Sequence, residues 1–215
     1  MVIAIDGPAG AGKSTVAQAV ARALGFTYLD SGAMYRGVAL AALRAGAGLD
    51  DEAALGHLVR GLRLGLADGR VWIDGEDVTE AIRAPEVSVA ASRVSVHPEV
   101  RQAMVERQRA LIAGGDYVAE GRDIGTVVSP DATLKVFLTA DDAERARRRA
   151  AETGEALGDV RAAQAARDAR DRGREHGALR PADDAVQIDT TGLSADEVAT
   201  RIADLAAERR GGSRS

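Results

Sequence analysis

Gly7-Pro8-Ala9-Gly10-Ala11-Gly12-Lys13-Ser14 is the stretch that decides the fold of this 215-residue chain. It fits the pattern G-x-x-x-x-G-K-S/T, which is informative only between a strand and a helix. Both are indicated here. Residues 2–6 are apolar and β-branched enough for a buried parallel strand, and residues 15–24 place their apolar side chains on one helical face. The sequence therefore predicts a phosphate-binding loop.

The chemistry of such a loop depends on backbone N–H groups that point inward at the N-terminus of a helix, where the helix dipole favours anions. Lys13 can reach the β- and γ-phosphates of a nucleotide, and the Ser14 hydroxyl can bind Mg²⁺. Of the 28 Lys and Arg residues only Lys13 and Lys135 are lysines, so composition alone would have placed an arginine here. We expect ATP to contact the loop and the residue after it, namely Gly7, Pro8, Ala9, Gly10, Ala11, Gly12, Lys13, Ser14 and Thr15.

Composition excludes several classes of function. The formal net charge of −5 gives no electrostatic case for nucleic acid as a partner. The absence of cysteine excludes disulfides, thiolate catalysis and cysteine-based zinc sites, and the three histidines are too scattered for a metal cluster. No signal peptide precedes the first strand and no apolar run has the length of a membrane span, so we expect a cytoplasmic protein without a membrane partner.

The rest of the pattern predicts a three-layer α/β fold around a parallel sheet. Further strands are predicted at 26–29, 117–120, 134–138 and 185–188, with helices between them. Period-two alternation on both sides of Asp68-Gly69 predicts a small antiparallel insert at about residues 60–85. Capping boxes, Asp141 with Glu144 and Ser194 with Glu197, are expected to begin two later helices. The last helix should end near Arg209, and residues 210–215 should form a frayed tail.

Ligands of parallel α/β sheets bind at the carboxyl ends of the strands, which selects residues 7–14, 30–36 and 120–123. Many arginines and few candidate bases surround these segments. Transfer of a phosphoryl group to an alcohol is helped by a base, whereas a monophosphate acceptor is already mostly dianionic at pH 7 and needs charge neutralisation instead. Residues 145–176 are strongly charged with few large apolar side chains, so this segment should be mobile or only partly packed. The arginine-rich balance therefore favours a phosphate acceptor.

Four motifs together resemble the bacterial cytidylate kinase family. They are the glycine loop, Asp30-Ser31-Gly32-Ala33-Met34-Tyr35-Arg36, Gly121-Arg122-Asp123-Ile124-Gly125-Thr126-Val127-Val128, and Arg167-Asp168-Ala169-Arg170-Asp171. The resemblance runs from residue 2 to about 208. It implies a P-loop nucleoside monophosphate kinase fold with a core (1–30, 98–144 and 177–209), a monophosphate-binding region with the insert (31–97) and a helical lid (145–176). It also implies transfer of the γ-phosphoryl group of ATP to CMP or dCMP with Mg²⁺, in pyrimidine metabolism.

The resemblance also implies residue roles. Catalytic roles fall to Lys13, Arg122, Arg147 and Arg167, and Ser14 serves the metal. Arg145, Arg147 and Arg148 begin the lid, and residues 189–192 hold the adenine of ATP largely through backbone. The expected CMP-binding residues are Ser31, Tyr35, Arg36, Ser92, Arg101, Arg122, Asp123, Arg167, Asp171 and Arg174. One departure is Glu120, at a position where the family pattern has Asp.

Alternatives remain open on the residues alone. A small-molecule kinase with a hydroxyl acceptor such as a sugar would need a base, and only Asp30 or Glu120 is well placed. A non-catalytic nucleotide-sensing module would leave the spread of arginines unexplained. Binding of nucleic acid is disfavoured because only six aromatic residues occur and none is interleaved with the arginine run. We expect a monomer.

Overall fold

The computed structural model describes residues 1–67 and 69–212, which fall into two compact units. Among these residues, unit 1 comprises 1–29 and 114–212, and unit 2 comprises 30–67 and 69–113. Residues 98–113 therefore group with unit 2, whereas the division expected from the sequence put them in the core. Within the described residues no helix is both long enough and apolar enough to cross a bilayer.

The described residues form eight α-helices and eight β-strands. In chain order they are β1 (Val2–Asp6), α1 (Lys13–Leu24), β2 (Thr27–Asp30), α2 (Ser31–Arg44), α3 (Glu52–Gly61), β3 (Leu64–Ala67), β4 (Arg70–Ile73), β5 (Glu76–Asp77), α4 (Pro85–Val94), α5 (Pro98–Ile112), β6 (Tyr117–Gly121), β7 (Leu134–Thr139), α6 (Asp142–Thr153), α7 (Leu157–Arg172), β8 (Val186–Asp189) and α8 (Ala195–Gly212).

Unit 1 is built on a five-stranded sheet of order β2-β6-β1-β7-β8. β1 pairs in parallel with both β6 and β7, and β7 pairs in parallel with β8. The middle strand is buried from Ile3 to Asp6, as its largely apolar sequence predicts. Ile3 and Ile5 pack with α1 and α8 in one apolar cluster. The α/β fold class with a central parallel sheet is confirmed, and the carboxyl end of β1 leads directly into the glycine loop.

Unit 2 contains the insert. Strands β3, β4 and β5 form an antiparallel sheet in which Leu64 lies opposite Ile73 and Trp72 lies opposite Asp77. Of the predicted Asp68-Gly69 turn, Asp68 lies outside the described residues, and Gly69 has the positive φ of 73° that such a turn favours. The antiparallel insert is confirmed within the predicted range.

Helix termini follow local capping chemistry. Asp30 caps α2 by accepting the N–H of Ala33 at 2.9 Å. The Ser194–Glu197 capping box forms in both directions. The Asp141–Glu144 box forms only in part, because Glu144 binds two arginines and the Asp141 N–H donates to Thr191 instead. The expected end of the last helix is also wrong, since α8 continues to Gly212; of the expected tail, residues 213–215 lie outside the described residues.

The charged segment 145–176 is more ordered than its composition suggests. It contains most of α6 and all of α7, and it buries Arg145, Asp168 and Asp171, each at most 3% exposed. The expectation of a partly packed segment is therefore wrong for these residues, because their charges are neutralised within the chain.

Candidate active site

The glycine loop follows β1 and leads into α1, as its motif predicts. Gly7, Gly10 and Gly12 all have positive φ, at 151°, 77° and 81°. At Gly7 a Cβ would lie 2.2 Å from the Leu138 carbonyl oxygen, so no larger residue fits beside β7. The loop thus has the left-handed backbone that turns successive N–H groups toward one side, the arrangement that binds phosphate.

Three carbonyls of the loop accept hydrogen bonds from side chains. The Lys13 ammonium donates to the Pro8 carbonyl at 2.7 Å, and Arg145 donates to the Ala9 carbonyl at 2.7 Å. The Ala11 carbonyl accepts from the Thr190 hydroxyl at 3.4 Å. These contacts hold the carbonyl oxygens of the loop on protein donors, which keeps like-charged oxygens away from a bound phosphate.

Lys13 lies in a strongly charged setting. It is 7% exposed, and burial lowers its pKa, as do the neighbouring charges of Arg122 and Arg167, while Glu120 and Asp6 oppose the shift. The sequence-predicted residues Lys13, Arg122 and Arg167 therefore lie within electrostatic reach of one another. A bound polyphosphate would favour the charged form of this lysine.

A second cluster is centred on Asp171, which is 1% exposed on α7. The Arg122 Nε donates to its Oδ2 at 2.9 Å, and Arg174 donates to its Oδ1. Burial alone would raise the pKa of Asp171, but the charges of Arg122, Arg174 and Arg167 hold it below its usual value. Asp171 therefore binds Arg122 and Arg174 and lies near Arg167. These three arginines form a cationic cluster suited to phosphate.

Asp123 lies at the turn that follows β6, and it is 6% exposed. Its carbonyl accepts the N–H groups of Val127 at 2.8 Å and of Val128 at 3.3 Å, and the second of these bonds begins a π-helical turn over Ile124–Val128. That turn is fixed by Asp6, whose two carboxylate oxygens accept the N–H groups of Ile124 and Gly125 at 2.9 and 2.8 Å. Burial raises the pKa of Asp6 to about 6. Sequence reasoning missed this role, although a carboxylate that ends a buried strand was a visible signal.

Glu120 is the penultimate residue of β6 and is 4% exposed. Its Oε1 accepts a hydrogen bond from the Tyr28 hydroxyl, which comes from the neighbouring strand β2. The longer side chain at this position is therefore held from one side rather than free to rotate. Tyr28 was not among the predicted site residues; it is the second residue of the four-residue strand β2, and no motif marks it.

The three arginines expected to begin the lid have separate environments. Arg145 is buried in contact with the phosphate loop, as described above. Arg148 donates to the Thr190 hydroxyl and carbonyl at 3.0 and 2.8 Å, which ties α6 to the loop after β8. The Arg147 side chain is 68% exposed and forks onto Glu144, and hydrogen bonds from Arg147 and Arg148 lower the pKa of Glu144 to about 2. The structure therefore does not place Arg147 in the cationic cluster.

Unit 2 carries the other predicted CMP-binding residues. Ser31 and Arg36 lie on α2, where the Arg36 Nη2 donates to the Asp30 carboxylate at 2.8 Å, and Tyr35 lies between them in sequence. Ser92 on α4 and Arg101 on α5 are 3% and 5% exposed. The Arg101 Nη1 donates to the Ser95 carbonyl at 3.5 Å, and the Ser95 hydroxyl donates to the Ser92 carbonyl at 3.1 Å. These buried polar groups form a local network inside unit 2.

The residues present fit a Mg²⁺ that is held mainly by a nucleotide. Ser14 is exposed at the first turn of α1, where the motif places a metal-binding hydroxyl. Within the described residues no group of three or more His, Cys, Asp or Glu side chains could hold a metal ion. A magnesium ion bound through phosphates and water needs few protein ligands, so the donor set suits that mode of binding.

Comparison with other proteins places the chain in a family. A sequence profile described as Cytidylate kinase matches residues 3–208. The cytidylate kinase of Desulfitobacterium hafniense (strain Y51) is 51% identical over 211 residues, covering 94% of this chain and 91% of that protein. The cytidylate kinase of Geobacillus sp. (strain WCH70) is 47% identical over 218 residues, covering 97% of each.

Solved structures show the same fold at much lower identity. A gluconokinase from Sinorhizobium meliloti 1021 aligns with a TM-score of 0.53 and 15% identity, covering all of this chain and 97% of that one. An uncharacterized protein from Eubacterium ventriosum ATCC 27560 aligns with a TM-score of 0.52 and 13% identity, covering 95% and 97%. Identities this low carry the fold alone. The sequence comparisons carry more, and they show that the chain belongs to the cytidylate kinase family.

Proposed function

We propose that this protein transfers the γ-phosphoryl group of ATP to CMP or dCMP, giving CDP or dCDP and ADP. Membership of the family supports this reaction, and the observation that carries it in the structure is the cationic cluster. Arg122 and Arg174 hydrogen-bond Asp171, and Arg167 lies within electrostatic reach of it. Arg122 and Arg167 also lie within electrostatic reach of Lys13. A site that brings two phosphates together needs this neutralising charge more than it needs a base.

In this mechanism the loop Gly7–Thr15 binds the triphosphate through its N–H groups and Lys13 stabilises charge on the transferring group. Mg²⁺, when bound beside Ser14, would neutralise phosphate oxygens. Arg122 and Arg167 offset the charge of the acceptor phosphate, whose dianion attacks without a general base because its second pKa is about 6. Arg147 completes the catalytic set only if α6 moves, since its side chain is exposed here.

Recognition of the base is proposed for Asp123 and Arg101, with Ser92. A carboxylate only accepts, so it can receive the exocyclic amine of cytosine but meets the O4 of uracil with like polarity. A guanidinium only donates, which suits the N3 and O2 acceptors of cytosine. Both side chains are at most 6% exposed, so a mismatched base would leave a buried polar group unpaired.

The remaining assignments complete the proposal. Ser31, Tyr35 and Arg36 would line the monophosphate site with Asp171 and Arg174, and residues 189–192 would hold the adenine. Residues 145–176 would act as the lid and residues 31–97 as the monophosphate-binding region. We further propose a monomer that acts in the cytoplasm in pyrimidine nucleotide metabolism and has no nucleic-acid or membrane partner.

A hydroxyl acceptor is less well supported. Its general base would have to be Asp30 or Glu120, and both carboxylates already accept hydrogen bonds, from Arg36 and from Tyr28. A base so engaged is less available to take a proton from an alcohol. A sensing module would not need the cluster around Asp171.

The test is to incubate the protein with Mg-ATP and a panel of CMP, dCMP, UMP, AMP, GMP, gluconate and shikimate, and to measure ADP release. We expect turnover with CMP and dCMP above the rate with ATP alone. Lys13→Ala should nearly abolish phosphoryl transfer without loss of the cooperative thermal transition. The control Arg149→Ala, which removes an exposed cation from α6, should retain phosphoryl transfer. Phosphorylation confined to a hydroxyl acceptor, or none by the wild type, would overturn the proposal.

A further inference from the structure

Arg145 makes a buried junction between the phosphate loop and both helices of the charged segment. Its Nη1 donates to the Ala9 carbonyl at 2.7 Å, and its Nη2 lies 2.8 Å from an Asp168 carboxylate oxygen on α7. The same Nη2 donates to Asp142 at 2.5 Å at the start of α6. The Arg145 and Asp168 side chains are 4% and 3% exposed. One guanidinium therefore joins the phosphate loop and α7 to its own helix α6.

The loop approaches these helices too closely for any side chain at Gly10. A Cβ there would lie 2.7 Å from the Gln164 Nε2 and 3.0 Å from the Arg145 carbonyl oxygen. Gln164 in turn donates to that carbonyl at 3.3 Å, which joins α7 to α6 at the same point. The contact between loop and helices is thus a packed junction, and the position of Ala9 depends on it.

The junction is poorly suited to a role in stability alone. Within residues 1–67 and 69–212 the buried atoms Arg145 Nε and Asp168 Oδ1 have no hydrogen-bond partner. A buried ion pair contributes little to stability unless its remaining polar atoms are satisfied, because desolvation offsets the attraction. What the pair does provide is a fixed position for a guanidinium that holds one loop carbonyl.

We propose that Arg145 and Asp168 are positioning residues that hold the phosphate loop in its nucleotide-binding shape from the lid side. The pair directs the Ala9 carbonyl outward, so that the neighbouring N–H groups point inward before ATP arrives. Neither residue need touch the nucleotide. This inference rests on the proposed function, since it assigns the loop to ATP.

The test uses the double variant Arg145→Met, Asp168→Leu. It removes both charges together, so no unpaired charge stays buried, and Asp142 is 86% exposed and would simply hydrate. The matched control is Arg149→Met, Glu152→Leu, which deletes one cation and one anion from an exposed pair on the same helix. Readouts are the calorimetric Kd for ATP without CMP, amide exchange of residues 9–13 in the nucleotide-free protein, and the KM values for ATP and CMP.

We expect the double variant to bind ATP about tenfold more weakly, as expected for loss of a charge-assisted hydrogen bond, with a similar rise in KM for ATP. Amide exchange of residues 9–13 should accelerate, while the KM for CMP stays within about twofold. The control should match the wild type in every readout. ATP affinity and loop exchange unchanged in the double variant would overturn the proposal, even if its melting temperature falls.

If the double variant does not fold, Arg145→Lys decides. Lysine keeps a charge for Asp168 but presents one compact ammonium, which does not reach both Asp168 and the Ala9 carbonyl as the planar fork does. We expect several-fold weaker ATP binding and faster loop exchange, and wild-type values for both would overturn the proposal. Should wild type and control fail to phosphorylate CMP, the proposed function fails, while ATP affinity and exchange still decide this inference.

Discussion

Asp6 lies between the phosphate loop and the turn that carries Asp123, and its titration can be tested directly. Burial raises its pKa from 3.8 to about 6, against the two backbone hydrogen bonds from Gly125 and Ile124, which lower it. The difference between a pKa of 3.8 and one of about 6 corresponds to about 3 kcal/mol of stability. Because the folded protein binds this proton more tightly than the unfolded chain, the associated stability is full below pH 4 and is lost as the pH rises through 6.

Asp6→Asn removes this titration while keeping one acceptor for the turn. The amide resembles the protonated acid, since its oxygen can accept one N–H and its NH₂ group faces the other. At pH 4 we expect the variant and the wild type to differ least. Between pH 4 and pH 8 the free energy of unfolding of the wild type should fall relative to that of the variant by about 3 kcal/mol.

The assay is urea unfolding at pH 4, 5, 6, 7 and 8, with the Asp6 Cγ chemical shift as a direct titration. Asp184→Asn is the control of opposite sign, because a hydrogen bond from Lys135 lowers the pKa of Asp184. The free energy of unfolding by which the wild type exceeds Asp184→Asn should shrink as the pH falls. Unfolding free energies of wild type and Asp6→Asn that run parallel from pH 4 to 8 would refute the assignment of a raised pKa.

Three further predictions concern specificity, the lid and the loop. Asp123→Asn should lower kcat/KM for CMP and reduce the CMP:UMP ratio by about tenfold or more in steady-state assays, since the amide can donate to O4 of uracil; equal losses for both nucleotides would make Asp123 a structural brace. Amide exchange in residues 145–176 should slow when ATP and CMP analogues are both bound, and unchanged exchange would contradict a lid. Gly7→Ala should destabilise the fold by at least about 2 kcal/mol in thermal unfolding, because its Cβ would meet the Leu138 carbonyl at 2.2 Å, while Gly61→Ala, with nothing within 4 Å, should be near neutral. A melting temperature of Gly7→Ala equal to that of the wild type would show that β7 can move aside.

Local chemistry made much of this fold predictable. The glycine loop and the Ser194–Glu197 capping box each depend on residues within one turn, and the structure has them where the sequence predicts them. The Asp141–Glu144 box failed in part because Arg147 and Arg148 lie one turn further along the same helix and compete for the Glu144 carboxylate. Local patterns identify candidate partners, but competition among charges decides which of them pair.

The residues that sequence reasoning missed act over long distances in the chain. Asp6 binds a turn 118 residues away, and Tyr28 binds Glu120 across 92 residues. Asp6 ends β1 and Tyr28 lies within β2, so the sheet brings each to its partner, but the strand order is not readable from the motifs. Asp168 was visible in a charged run, yet its pairing with Arg145 rather than with solvent needed the packing of α6 against α7.

The charged helix α7 shows why composition was misleading there. Its buried positions recur with helical spacing, yet only one of them is apolar; they are Val160, Gln164, Asp168 and Asp171. An amphipathic pattern normally marks its buried stripe with apolar residues, so a polar stripe reads as solvent-exposed. Here the buried carboxylates are paired with arginines, which is the condition under which charges can be buried.

The two buried carboxylates of α7, Asp168 and Asp171, lie three residues apart on one face and bind different arginines. Asp168 holds Arg145 against the phosphate loop, and Asp171 holds Arg122 after β6. A single rigid helix therefore sets the distance between a contact on the loop and a cation of the cluster. Because a guanidinium paired with a carboxylate is pre-oriented before phosphate binds, less conformational entropy is lost when the ligand arrives. The acidic residues of α7 thus explain how a chain with net charge −5 can present a cationic site for phosphate.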